Sequence, residues 1–136
     1  MEWTRGDYRV TDSNERADID FIAESLGTTY WANNRPKEIV EKSVRNSIVL
    51  SMYDGDRPIG FSRVVSDHAT FAWICDVFVH PDYRGEGLGV WLVDCTLALP
   101  CCDVRLNLLG TKDAHTLYEK FGFESYQAMI KRKPGC

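Results

Sequence analysis

Nowhere in these 136 residues does an apolar run reach the ~20 residues that a membrane-spanning helix needs, so no membrane partner is expected. The segment Met1–Asp7 lacks the apolar stretch of a signal peptide, and the corresponding expectation is a cytoplasmic protein. Basic residues are scattered and the net charge is −4, so the electrostatic footprint that nucleic-acid binding requires is missing. The five cysteines, Cys75, Cys95, Cys101, Cys102 and Cys136, contain no CxxC pair and no zinc-like spacing. Their odd number suits free thiols in a reducing compartment. His68, His80 and His115 are too dispersed for a metal site, and none is expected. Internal repeats, low-complexity tracts and linkers are also lacking.

What is present is enough for a packed core. A hydrophobic content of 44% beside 26% charged residues is ordinary for a globular chain and excludes disorder or a disulfide-held miniprotein. The length suits one domain over residues 1–136.

Local periodicity alternates between strand and helix. Tyr8–Thr11 reads as a first strand, and Asp12 with Glu15 makes a capping-box start for a helix carrying Ile19, Ile22, Ala23 and Leu26 on one face up to Gly27. Beyond the polar-aromatic stretch Thr28–Asn34, Pro36 fits the first turn of a second helix with Ile39, Val40 and Val44 turned inward. Ile48–Tyr53 and Ile59–Val65 are strand-like runs joined by a turn containing Asp54-Gly55, so an antiparallel hairpin is expected. Thr70–Val79 is almost continuously apolar, as in a central strand covered on both faces.

Gly87–Leu99 places Leu88, Leu92, Cys95 and Leu99 at the spacing of a buried helical stripe, and Pro100 ends it. Asp103–Leu109 reads as a strand, Ala114–Phe121 as a short helix closed by Gly122, and Tyr126–Lys131 as a last strand. The outcome is a mixed α/β domain with antiparallel strands first, then a right-handed crossover joining parallel strands between Thr70 and Leu109. About four helices flank the sheet.

Chemistry is concentrated where the Thr70–Val79 strand runs through Arg84-Gly85-Glu86-Gly87-Leu88-Gly89 into a helix. Glycines remove Cβ obstruction, so successive N–H groups can converge on one anion at the positive end of the helix dipole, as a pyrophosphate needs. A Walker loop would place Lys-Ser or Lys-Thr after the last glycine, where Val90-Trp91 stands. A dinucleotide fingerprint would need an acidic ribose ligand after the following strand.

The same segment resembles the Q/R-x-x-G-x-G/A signature of the GNAT superfamily of N-acetyltransferases, preceded by the approach Val79-His80-Pro81-Asp82-Tyr83-Arg84. Ala114–Phe123 is similar to that family's A-x-x-L-Y-E-K-x-G-F helix, although Thr111 stands where many members have asparagine and Glu86 where a basic residue is common. Glu86 is expected to point to solvent.

The resemblance implies a GNAT-like twisted mixed sheet whose strands ending at Val79 and near Leu109 splay into a cleft. It also implies acetyl-CoA as cosubstrate, bound by the loop Arg84, Gly85, Glu86, Gly87, Leu88 and Gly89 and by the backbone of Val77, Phe78 and Val79. Tyr118 matches the family's helix tyrosine and is the candidate general acid for the departing sulfur; a phenol of pKa about 10 stays protonated near neutrality.

Asp76 is the odd residue in an apolar strand. It could take the amine proton or hold a cationic substrate, or it could be the structural partner of Arg63 or Arg105. Acceptor choice is assigned to Tyr30, Trp31, Asn33 and Asn34, either as a wall of the substrate side or, for the two aromatics, as core closure. Cys75 is expected to be inert. The function implied is acetyl transfer from acetyl-CoA to a small-molecule or protein amine in a ternary complex; the alternative is a silent acyl-CoA sensor. A homodimer through the apolar C-terminal strand stays open.

Overall fold

The computed structural model describes residues 1–13 and 17–134. Six strands form one sheet in the order β1 (Glu2–Arg5), β2 (Tyr8–Thr11), β3 (Ile48–Asp54), β4 (Arg57–Ser66), β5 (Phe71–Val79) and β6 (Leu106–Leu109). The first five pair antiparallel and β5–β6 is parallel, so the architecture is the expected mixed α/β sheet. Asp54 pairs with Arg57, which makes Gly55-Asp56 the hairpin turn; Gly55 holds φ at 60°, a conformation that L side chains resist.

Two helices, α1 (Ile19–Leu26) and α2 (Lys37–Arg45), connect β2 to β3. Helix α3 (Leu88–Leu97) crosses from β5 to β6, and the short α4 (His115–Glu119) follows β6. The sheet separates two apolar layers. On one face Ile22, Leu26, Val40 and Val44 pack with Val49, Phe61 and Phe78. On the other, Leu88, Trp91, Leu92, Cys95 and Leu99 pack with Leu50, Ile59 and Ile74. The predicted α3 stripe is buried as expected, and Val93 and Thr96 are buried as well, so this helix is enclosed nearly all round. Thr96 reconciles its hydroxyl with that setting through bonds to Ser62 Oγ and the Leu92 carbonyl, both 2.7 Å.

A β-bulge in β5 decides which layer each residue joins. Phe61 pairs with Phe78 but Arg63 pairs with Cys75, so Asp76 and Val77 together oppose Ser62, and Asp76 takes φ of 53°. The extra residue inverts the alternation. Ala72, Ile74, Val77 and Val79 share the α3 face, while Phe78 turns to the α1–α2 face.

The structure departs from the sequence pattern at several points. Strand β1 was not foreseen, because Glu2-Trp3-Thr4-Arg5 is nearly all exposed and carries no apolar alternation. Helix α1 is capped by Asp18, whose Oδ1 accepts the Phe21 N–H at 2.9 Å, and not by Asp12, which binds the N-terminal ammonium. Glu15, the other half of the expected capping box, lies outside the described residues. Ile39 is 48% exposed, since a helix starting after Pro36 turns only Val40 and Val44 inward.

Strand β5 is interior but next to last, and it is not covered on both faces: Trp73 is exposed and Cys75 half-buried. Tyr126–Lys131 forms no strand. Among the described residues it pairs with no strand although the outer side of β6 is free, and Tyr126, Met129 and Ile130 stay exposed.

Candidate active site

The parallel ladder between β5 and β6 ends at Ile74–Leu109. From Cys75 onward β5 has lost its neighbour on that side, and the gap is a cleft of about 1090 Å³. That volume is slightly above the usual ~300–1,000 Å³ of small-molecule sites and has room for a long ligand. Val77, Phe78 and Val79 form one wall, and Gly110, Ala114, Leu117 and Tyr118 form the other.

The glycine loop closes one end. Gly85 and Gly87 hold φ of 89° and 76°, and Gly87 is the N-cap of α3 with no side-chain cap. Among the described residues, none of the amides from Gly85 to Val90 has an internal acceptor; the ladder resumes only with Trp91 N–H on the Gly87 carbonyl. Unsatisfied N–H groups at a helix start, beside glycines whose missing Cβ leaves space, are an arrangement that can accept an anion.

The residues leading into the loop fix its position. Tyr83 Oη donates to Asp54 Oδ2 at 2.7 Å, tying the 3₁₀ turn Pro81–Tyr83 to the β3–β4 hairpin. Arg84 Nε donates to the Val79 carbonyl at 2.9 Å, and its guanidinium lies 5.6 Å from the Phe78 ring centre. Arg84, Gly85, Gly87, Leu88 and Gly89 all line the cleft. Glu86 is exposed and turned toward Tyr8, whose hydroxyl lies 3.4 Å from its carboxylate.

Side chains build the opposite end. Asp76, its side chain 3% exposed, accepts from Trp31 Nε1 at 3.0 Å, Arg35 Nη1 at 2.9 Å and Arg63 Nε at 2.8 Å. Burial pushes its carboxyl up, but the two guanidiniums and the indole N–H together hold it below the usual carboxylate range. Of the roles open for Asp76, this geometry is the ion pair: both oxygens are engaged and the ionised form is favoured, the reverse of a base poised to take a proton. Arg63 is the expected partner, whereas Arg105 is exposed and makes no bond to Asp76. Arg35 was missed. Only the requirement that a buried carboxylate find cations could have signalled it, and that rule does not say which arginine.

Tyr30 and Trp31 do not close the core. They are 52% and 42% exposed, meet edge to face, and line the cleft. Tyr30 Oη accepts the Lys112 N–H at 3.2 Å, and the Lys112 ammonium sits 5.4 Å from the centre of its ring. Asn33 and Asn34 are exposed outside the cleft; Thr28, Thr29 and Arg35 line it instead.

Tyr118 is half-buried on α4, edge to face with Phe123 at 5.9 Å. Burial raises its pKa above the ordinary tyrosine value, and Tyr30 and Asp113 act in the same direction. Thr111 Oγ1 accepts the Ala114 N–H at 3.0 Å, so threonine keeps a hydrogen bond at the head of this helix. Burial pushes the Cys75 thiol up to about 11, consistent with an inert side chain. Among the described residues no cluster of three or more His, Cys, Asp or Glu side chains could hold a metal, and no helix is long and apolar enough to cross a membrane.

Comparison with known proteins places this geometry. The profile of the acetyltransferase (GNAT) domain matches residues 45–125. A Gibberella zeae protein carrying an acetyltransferase name is 26% identical over 93% of this chain and 85% of its own. A soybean (Glycine max) protein named histone acetyltransferase is 35% identical over 84% of this chain, which spans only 54% of that relative's length. Among solved structures, a Xanthomonas campestris protein assigned to the GNAT acetyltransferases superimposes with a TM-score of 0.88 at 35% identity, covering 94% of both chains.

Proposed function

From the premise that this chain belongs to the GNAT acetyltransferases, we propose that it moves an acetyl group from acetyl-CoA to a primary amine by direct attack in a ternary complex. The observation that carries the reading is the run of amides from Gly85 to Val90 without internal acceptors, opening onto the gap where β6 leaves β5. These amides and the α3 dipole would hold the pyrophosphate. The unpaired side of Cys75–Val79 offers backbone groups to the pantetheine amides, as a neighbouring strand would.

An acetyl thioester is already activated, so the protein's work is alignment, charge stabilisation and proton traffic. The amine nitrogen bonds to the acetyl carbon, the carbon–sulfur bond breaks, and the nitrogen loses a proton. Tyr118 stands on the wall facing β5 and donates its phenolic proton to the departing sulfur; its raised pKa keeps that proton in place. The amine's own proton leaves through water, which returns a proton to the Tyr118 phenolate, because the Asp76 carboxylate is committed to Arg35, Arg63 and Trp31.

Calorimetry with acetyl-CoA and an amine-panel assay for released thiol test the reading. Binding with thiol release is the expected result. Binding without release on any amine leaves the acyl-CoA sensor, and an absence of binding removes both.

A further inference from the structure

We propose that the acceptor amine carries an anionic group, a carboxylate or a phosphate, which lies against Arg35 and Arg63 at the β5 bulge; this rests on the transferase reading above. Two guanidiniums face one carboxylate there. Arg35 spends Nη1 on Asp76, and Arg63 spends Nε on Asp76 and Nη1 on Ser47 Oγ. Arg35 Nε and Nη2 and Arg63 Nη2 have no acceptor among the described residues, and both side chains line the cleft while remaining 24% and 16% exposed. The cluster therefore keeps one surplus positive charge and open donors in the planar arrangement that suits an oxyanion.

At the bulge itself the carboxylate and the neighbouring ring are already occupied by the protein's own cations; Asp113, which also lines the cleft, lies by Tyr118 on the α4 side. Asp76 is neutralised by the two arginines, and the Tyr30 ring is faced by the Lys112 ammonium. A basic peptide tail or a polyamine would bring further positive charge to a site that is itself positive. An amino acid or an amino phosphate brings the missing negative charge and keeps its amine free for attack.

The test uses matched amines whose nitrogens have similar basicity: γ-aminobutyrate against aminobutanol, phosphoethanolamine against ethanolamine, and a diamine as the cationic arm. Thiol release is followed with saturating acetyl-CoA. At least one anionic member is expected to exceed its alcohol in kcat/KM by about tenfold or more, the scale of one charge-assisted hydrogen bond. Whichever pair shows the larger ratio distinguishes carboxylate from phosphate.

Arg35→Gln is expected to collapse that ratio toward one through KM, with acetyl-CoA affinity by calorimetry unchanged, and Arg35→Lys to restore part of it. Ratios near one in the wild type, or preference for the diamine, overturn the proposal. So does an Arg35→Gln variant that keeps the wild-type ratio. Should Arg35→Gln fail to fold, the wild-type ratios decide alone. Acetyl-CoA binding without thiol release on any amine defeats the transferase reading itself, and this inference falls with it.

Discussion

The two ends of the cleft are built from different materials. At the glycine loop the groups left open are main-chain amides, held by positive φ values that favour glycine at positions 85 and 87, and the Glu86 side chain points elsewhere. At the bulge the working groups are side chains from three separate elements: Trp31 and Arg35 between α1 and α2, Arg63 on β4 and Asp76 on β5. A backbone site tolerates side-chain variation so long as its glycines stay. A side-chain site depends on each partner.

Four substitutions would break or sharpen that contrast. The largest effect is expected from Asp76→Ala, which strands two partly buried guanidiniums and should cost about 3–5 kcal/mol of stability in urea unfolding. Because the folded-state pKa of Asp76 is depressed, its contribution is fully present above the unfolded carboxylate value of 3.8 and is lost as pH falls through the lower folded value. A stable Asp76→Ala protein with abolished turnover would instead restore the base role.

Next is Tyr118→Phe, expected to lower kcat by about a hundredfold with acetyl-CoA affinity intact. Since the Tyr118 pKa is raised above 10.0, any alkaline loss of kcat that this hydroxyl causes should begin above that value and vanish in the variant. Unchanged turnover across the pH range would remove the acid role.

Gly87→Val forces a β-branched residue to φ of 76°; strain of roughly 1–3 kcal/mol in the loop should weaken acetyl-CoA binding about tenfold or more by calorimetry. The smallest effect belongs to Glu86→Gln, which removes a charge that the loop directs toward Tyr8: Kd should tighten by no more than about fivefold. A larger change there would mean that side chains matter at the backbone end after all.

The same contrast explains what could be read from the sequence. The glycine turn before α3 and the short helix after β6 were legible because glycines and helix patterns are local statements about the backbone, as were the β3–β4 hairpin and the buried stripe of α3. The partners of Asp76 were only half legible. Arg63 was one of two arginines considered, but Arg35 reaches the carboxylate across 41 positions of chain, and no periodicity encodes such a meeting. Strand β1 and the missing C-terminal strand failed for a related reason: whether a short run pairs is decided by the assembled sheet and not by the run's own pattern.

The early end of the β5–β6 ladder also bears on solubility. A strand margin stripped of its neighbour is ordinarily a template on which other chains aggregate. Here the bare margin faces a cleft lined by residues of α4 and of the start of α3. That margin thus opens into a lined cavity, unlike the outer margins of β1 and β6, which simply end the sheet.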